Sequence, residues 1–197
     1  MPDTAPTAAP AASEGRLRLP RREDLSPEAQ RDWDANPSAN TTLSRLLDLA
    51  PTMSPHLRAL NVAMATTITV PPMEREVVCI ATLTLERGAY EIAQHRVVAA
   101  RMGISEEKFA AIEHERYGDP LFTPREKALL AFTRQVIKTV RVDDATFAAV
   151  SAFYDDRQIL ELTYVITNYM MLARLSEVAE VPIDGTSGAD FWKNRKP

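Results

Sequence analysis

Hydrophobic residues recur along the chain at the three- and four-residue spacing of an α-helix, with polar residues between them. The spacing predicts nine helices, near residues 26–34, 41–49, 55–67, 73–87, 89–102, 106–117, 124–140, 144–153 and 156–178. The best strand candidate, TTITVPP from Thr66 to Pro72, is short and ends in two prolines, so we interpret it as a connector. The pattern therefore predicts an all-α fold whose helices are joined by short loops.

Residues typical of helix ends support these boundaries. Proline follows Ser26, Ser54 and Thr123, and proline suits the first position of a helix because its missing N–H has no partner there. Gly103 and Gly118 are interpreted as helix terminators.

Two helical segments resemble each other. MEREVVCIATLT from Met73 matches TPREKALLAFTR from Thr123, with an Arg-Glu pair in register. This similarity indicates a duplicated helical unit. The last predicted helix, over 156–178, is apolar on more than one side, which is typical of a helix that is central in the core or shared with another subunit.

Composition and charge exclude several classes of protein. The chain has 197 residues and a net charge of -4, so it lacks the basic surface that nucleic-acid binding requires. No apolar run reaches the ~20 residues that span a bilayer, so we expect no membrane partner. A single cysteine, Cys79, cannot form an intramolecular disulfide, and we expect a cytoplasmic protein with a buried structural thiol.

The ends of the chain differ from its middle. The first residues, MPDTAPTAAPAASEG, are rich in Pro, Ala and Thr and lack the apolar segment of a secretory signal. We predict a disordered tail over residues 1–16, one helical domain over 17–183, and a C-terminal tail over 184–197.

A glutamate and a histidine stand four residues apart in the helix predicted over 89–102. On a helical wheel His95 lies ~40° from Glu91 inside the apolar arc, whereas Gln94 and Arg101 mark a solvent-facing side. A buried carboxylate and imidazole are costly unless paired, and this spacing allows a hydrogen bond between them. The pair suits acid–base catalysis near neutral pH; the alternative is a structural pair.

Glu76 is a third candidate. It lies at the margin of the apolar arc of the helix predicted over 73–87. It is either a site residue or an acid in the first helical turn, where the helix dipole stabilises negative charge.

The order of these features resembles the carboxymuconolactone decarboxylase family, which shares its fold with the alkyl hydroperoxidase D-like proteins. The matching features are an Arg-Glu pair opening an apolar helix, the sequence YEIAQH, and a Ser-Glu-Glu helix start. The resemblance extends over about residues 17–183 and implies an alkyl hydroperoxidase D-like helical bundle.

One motif of the family is missing. Peroxidase-type members have a Cys-x-x-Cys before the histidine, and those positions align with Gly88 and Glu91 here. The upstream glutamate of that pattern aligns with Glu76. The resemblance therefore implies that the acid–base residues are retained and that dithiol peroxidase chemistry is absent.

The resemblance also implies a reaction. Decarboxylase-type members decarboxylate or isomerise lactones and other activated organic acids without a metal or organic cofactor. We expect such a lyase-type reaction on a small organic acid or lactone, with His95, Glu91 and Glu76 as catalytic residues. The alternatives are a peroxidase-related protein with weak or no dithiol activity, and a non-catalytic oligomeric binding or structural protein.

Substrate binding and assembly are predicted only coarsely. Tyr90 and Arg174 are the candidate substrate-binding residues, and Arg58, Arg87 and Arg96 are further cations that could meet a carboxylate. We expect no bound metal, because the sequence offers three histidines without a ligand motif. The resemblance implies a homo-oligomer, either a trimer or a hexamer.

Overall fold

The computed structural model describes residues 15–35 and 41–184, and within them every regular element is helical. A short 3-10 helix, Arg22–Asp24, precedes the α-helices. These are α1 (Pro27–Ala35), α2 (Thr42–Asp48), α3 (Ser54–Thr66), α4 (Pro72–Glu86), α5 (Ala89–Met102), α6 (Glu106–Glu113), α7 (Pro124–Thr139), α8 (Asp144–Ser151) and α9 (Asp156–Val178). The predicted all-α fold is confirmed, and 67–71 form a connector as predicted.

Capping residues begin and end several of these helices. The Thr123 hydroxyl accepts a hydrogen bond from the backbone N–H of Glu126 at 3.2 Å, and the Glu126 carboxylate accepts one from the N–H of Thr123 at 2.9 Å. This capping box fixes the start of α7. Gly103 ends α5 in the left-handed conformation, with φ of 85°, as predicted.

The predicted end of α6 is wrong. The helix ends at Glu113, before the predicted boundary at 117, and Gly118 is not its terminator. Glu115 adopts the left-handed conformation, with φ of 51°, so the chain leaves the helix before it reaches the glycine. The predicted duplication of a helical unit stays a prediction; α4 and α7 share a proline in the first turn.

Helix α4 occupies the centre of the fold and packs against α5, α6, α7 and α9. One hydrophobic cluster joins it to α7, α8 and α9, and a second joins it to α5, α6 and α7. Helix α9 buries one side only, and its other side exposes large apolar residues: Leu160, Tyr164, Met171, Leu175 and Val178. The predicted sharing of this helix with another subunit, and the predicted trimer or hexamer, stay predictions.

A third cluster ties the two ends of the described chain together. Leu19 and Leu46 pack with Tyr90, Ala179 and Val181. The predicted tails, 1–16 and 184–197, lie outside the described residues except for 15, 16 and 184. The backbone N–H of Arg16 donates to the carbonyl of Ala179, and Asp184 accepts from Thr42. In the described ranges, no helix combines the length and apolarity needed to cross a membrane. The cytoplasmic location stays a prediction.

Candidate active site

Helix α4 carries Glu76 into the interior. The helix begins at Pro72, so Glu76 lies one turn in, among apolar residues that contact the neighbouring helices. Only 2 % of Glu76 is exposed. A first-turn acid stabilised by the dipole alone would face solvent, so Glu76 is a buried carboxyl group rather than a surface capping group.

Helix α5 begins where the backbone passes close to α9. A Cβ atom added to Gly88 would lie 2.8 Å from the Cβ of Ala173, so only glycine fits without a shift of one helix. The backbone N–H of Ala89 donates to the Glu177 carboxylate at 2.7 Å, which satisfies a donor at the helix start. These contacts position the first turns of α5 between α4 and α9.

The buried pair of the site joins two helices. Nδ1 of His95 lies 2.7 Å from Oε1 of Glu76, and His95 is 7 % exposed. A carboxylate only accepts hydrogen bonds, so Nδ1 is the donor and Nε2 is the remaining ring nitrogen. Burial lowers the pKa of His95, but the charge and hydrogen bond of Glu76, with the charge of Glu91, outweigh it and raise that pKa above its ordinary value.

Glu91 lies in the same interior, and one of its carboxyl oxygens has no hydrogen-bond partner among the described residues. It is 4 % exposed, and its Oε1 atom is buried and unpaired among the described residues. Burial raises the pKa of Glu91 to about 7, although the charge of His95 acts in the opposite direction; the charge of Asp184 adds to the rise. The expected hydrogen bond between Glu91 and His95 is therefore replaced by the bond between Glu76 and His95.

Two residues outside the predicted set complete the surroundings of His95. The ring of Tyr169 meets the His95 ring edge-on, with centroids 4.9 Å apart and an interplanar angle of 85°. The Tyr169 hydroxyl interacts with the thiol of Cys79, and burial raises the pKa of both groups. Cys79 is fully buried, as predicted.

The donor atoms of Glu76, Cys79 and His95 lie within 4.8 Å of one another. Among the described residues, these three buried side chains are close enough together to bind one metal ion. They come from two helices, and Cys79 follows Glu76 by three residues, on the same face of α4.

The structure corrects one orientation on α5. Gln94, expected on a solvent-facing side, is 8 % exposed and therefore buried. Helix α5 packs against both α4 and α9, so it is covered over a wider arc than a single apolar stripe indicates. Glu91 and His95 are buried, as the helical wheel predicts.

Tyr90 has structural partners. Its hydroxyl donates to the Asp184 carboxylate and accepts from the backbone N–H of Leu43 at 3.4 Å. The Thr42 backbone N–H donates to the other oxygen of Asp184 at 2.9 Å. Tyr90 thus holds the start of α5 to α2 and to the end of the described chain, and burial together with Asp184 raises its pKa.

Arg174 is not brought together with the buried pair. Its side chain is 64 % exposed and pairs with Glu86 at 2.7 Å, because α9 turns this side outward. Arg58 and Arg96 also pair with carboxylates, namely Asp48, Glu106 and Glu113. Arg58, Arg96 and Arg174 thus have carboxylate partners outside the buried pair.

Arg75, which is not among the predicted cations, lies close enough to the buried pair for its charge to act on His95. The positive charge of Arg75 acts on both His95 and Cys79, in each case lowering the pKa against other influences. Its guanidinium donates to the carbonyls of Met64 and Ala65, each at 2.9 Å. Its position directly before Glu76 was the available signal.

Comparison with known proteins confirms the predicted resemblance. The model of the carboxymuconolactone decarboxylase family matches residues 55–135, which include Glu76, Glu91 and His95. No curated protein matches the sequence significantly.

Solved structures show the same fold at low sequence identity. An uncharacterised peroxidase-related protein from Ralstonia eutropha, with an alkylhydroperoxidase AhpD core, matches with a TM-score of 0.77 and 15 % identity, covering 90 % of this chain and 96 % of its own. An uncharacterised peroxidase-related protein from a Silicibacter species matches with a TM-score of 0.78 and 12 % identity, covering 94 % of this chain and 100 % of its own. The debrominase Bmp8, solved with 2,3,4-tribromopyrrole, matches with a TM-score of 0.67 and 14 % identity, covering 93 % of this chain and 97 % of its own. The alkyl hydroperoxidase D-like fold is thus confirmed.

Proposed function

Because residues 55–135 carry the pattern of the carboxymuconolactone decarboxylase family on an alkyl hydroperoxidase D-like fold, we propose that the chain is a cofactor-independent acid–base enzyme. Its substrate would be a small lactone or activated organic acid, and its reaction a decarboxylation or isomerisation. The catalytic residues would be His95 and Glu91, and Glu76 would position His95.

The contact between Glu76 and His95 carries this proposal. The carboxylate holds Nδ1 at 2.7 Å and favours the charged imidazolium, so Nε2 can give a proton to a substrate carbon. Histidines that act in proton transfer are commonly oriented in this way by a carboxylate on the other ring nitrogen. Glu76 would be a positioning residue, acting through His95.

The proposed decarboxylation has a simple balance of bonds. The bond between the α-carbon and the carboxylate breaks, carbon dioxide leaves, and the electron pair stays on the α-carbon as an enolate with the neighbouring carbonyl. His95 then gives its Nε2 proton to that carbon, and water returns a proton to the imidazole. The imidazolium stabilises the developing negative charge before the transfer.

Glu91 suits the isomerisation branch. A carboxyl group with a pKa of about 7 exists in both protonation states near neutral pH. In its ionised form it could remove a proton next to a carbonyl, and His95 could return one elsewhere on the same molecule. No bond change in this scheme needs an oxidant or a metal.

Thiol peroxidase chemistry has no support from the residues at the aligned positions. Gly88 and Glu91 stand where peroxidase-type members have cysteines, and the sequence contains one cysteine. The thiol of Cys79 is buried and its pKa is well above the ordinary value, which disfavours the thiolate.

The test is a panel of lactones and 2- or 3-oxo acids in deuterated water. Carbon dioxide release reports decarboxylation, and NMR reports deuterium at the carbon next to the carbonyl. We expect turnover of at least one compound, and a loss of roughly 10²- to 10⁴-fold in His95→Ala. His114→Gln is the matched control, because His114 is an exposed histidine at the end of α6.

Three results would contradict the proposal. They are full activity in His95→Ala, equal losses in the control, and binding of panel compounds with neither carbon dioxide release nor deuterium exchange. The last result would favour the alternative of a binding protein.

A further inference from the structure

We propose that Glu76, Cys79 and His95 form a binding site for a thiophilic divalent cation such as Zn²⁺, because their donor atoms converge in the interior between α4 and α5. This inference does not depend on the proposed function. It differs from the sequence-based expectation of no metal, which rested on the lack of a ligand motif.

The geometry needs little movement to take a cation. Glu76 and Cys79 occupy one face of α4, His95 comes from α5, and their ligand atoms lie within 4.8 Å of one another. Tetrahedral zinc bonds of about 2.0 Å to nitrogen and oxygen and 2.3 Å to sulfur require ligand separations of roughly 3.3–3.8 Å. The separations between ligand atoms therefore have to change by about 1.5 Å or less.

The proton between Nδ1 of His95 and Oε1 of Glu76 marks the place of the cation. These atoms lie 2.7 Å apart, and a metal bound to both would move them to about 3.3 Å. The metal would replace this proton and the proton of the Cys79 thiol. Metal-bound and proton-bound forms of the pair thus exclude one another.

An independent observation points to a missing ligand or charge. Glu91 is 4 % exposed and its Oε1 atom is buried without a partner, although its charge acts on both His95 and Cys79. A buried carboxyl oxygen without a hydrogen bond is costly. Glu91 lies outside the group whose atoms are within 4.8 Å of one another, so it would act on the cation as a nearby negative charge.

The donor set selects the class of metal. One thiolate, one imidazole and one carboxylate suit Zn²⁺, Co²⁺ or Fe²⁺, whereas Mg²⁺ and Ca²⁺ require oxygen ligands. The edge-on Tyr169 ring beside His95 also restricts the rotation of the imidazole. Three protein ligands leave a fourth coordination position open to water.

The test uses the full chain, freed of metal with a chelator and then titrated. Zn²⁺ loaded at one equivalent should show, by X-ray absorption, one sulfur neighbour at about 2.3 Å and two or three nitrogen or oxygen neighbours at about 2.0 Å. Co²⁺ should give a sulfur-to-metal charge-transfer band. This measurement needs no variant, so it stays decisive if a substitution prevents folding.

Variants then identify the ligands. Cys79→Ala and Cys79→Ser should lose the charge-transfer band and weaken Zn²⁺ binding by roughly tenfold or more. Glu86→Gln is the control, because Glu86 lies on the same helix but pairs with Arg174 rather than with His95. Weaker binding in Glu76→Gln would support the site.

The proposal fails if the metal-free chain binds no Zn²⁺, or if the bound metal has only nitrogen and oxygen neighbours. It also fails if Cys79→Ala binds Zn²⁺ as the unmodified chain does. These outcomes are separate from any failure of the acid–base proposal, because none of them measures turnover.

Discussion

Nδ1 of His95 lies 2.7 Å from Oε1 of Glu76, a buried contact between α4 and α5 that joins residues nineteen positions apart. Because this contact joins α4 to α5, the protonation state of His95 affects how these two central helices pack. A charge buried without its partner is strongly destabilising, so changes at either residue should alter both the pKa of the site and the stability of the fold.

Glu76→Gln removes the negative charge that favours the His95 imidazolium. We expect the pKa of His95 to fall, because burial then acts without the opposing carboxylate. The free energy of unfolding should drop by about 3 kcal/mol at acidic pH. NMR titration of the His95 ring, with chemical denaturation at several pH values, measures both effects.

The pH dependence of the stability difference tests whether the contact between Glu76 and His95 is charged. A raised histidine pKa stabilises the folded chain below the ordinary pKa of 6.5, and this stability is lost as the pH rises through the folded value. The difference between the unmodified chain and Glu76→Gln should therefore shrink at alkaline pH. An equal difference at pH 5.5 and pH 9 would show that the contact is not charged.

The fold was largely predictable from the sequence because helical periodicity and capping residues are local signals. The hydrogen bond between Glu76 and His95 was not, since it depends on how α4 packs on α5. Sequence spacing alone favoured Glu91 as the partner of His95. Arg174 was misleading for a related reason: apolar neighbours in the sequence surround it, but α9 is buried on one side only.

Glu91→Gln should make the chain less sensitive to alkaline pH. The pKa of Glu91 rises from 4.5 to about 7 on folding, so the unmodified chain should lose about 3 kcal/mol of stability as the pH rises from 4.5 to 8. The glutamine variant lacks this ionisation and should keep that part of the stability. Urea unfolding at pH 5 and pH 8 measures the difference.

A conservative substitution elsewhere supplies the control for Glu91. Glu177→Gln changes an acid that accepts from the backbone N–H of Ala89 near the same helix start. It should leave the stability loss between pH 5 and pH 8 nearly as in the unmodified chain. A loss of the same size in Glu91→Gln would contradict the assigned ionisation of Glu91.

Asp184→Asn should change the pKa of Glu91, although the two residues are far apart in the sequence. The charge of Asp184 contributes to the raised pKa of Glu91, so its removal should lower that pKa. The variant should also weaken the contacts to Tyr90 and Thr42, at a cost of about 1–2 kcal/mol. Carbon-13 NMR titration of the Glu91 carboxyl group tests the electrostatic effect.

Tyr90→Phe separates the two effects of this contact. It removes the hydroxyl that donates to Asp184 but keeps the Asp184 charge. We expect a similar loss of stability without a fall in the pKa of Glu91. If both variants shift the Glu91 titration equally, displacement of residue 184 rather than its charge is responsible.

Gly88→Ala should destabilise the fold through its contact with α9. The added Cβ atom would lie 2.8 Å from the Cβ of Ala173, so one helix must shift. We expect a loss of about 1–3 kcal/mol, as for other overpacked sites. Urea unfolding measures it, and the backbone φ of -76° at Gly88 excludes a left-handed conformation as the cause.

Ala173→Gly tests whether this contact is the reason. Alone it should cost about 1 kcal/mol, since glycine is unfavourable within a helix. Combined with Gly88→Ala it should cost less than the sum of the two, because the second change removes the methyl group that the first one meets. Additive losses would place the strain elsewhere.

The same contact affects any attempt to restore the missing dithiol motif. A cysteine at position 88 also has a Cβ atom, so Gly88→Cys with Glu91→Cys should fold well only when Ala173 is glycine.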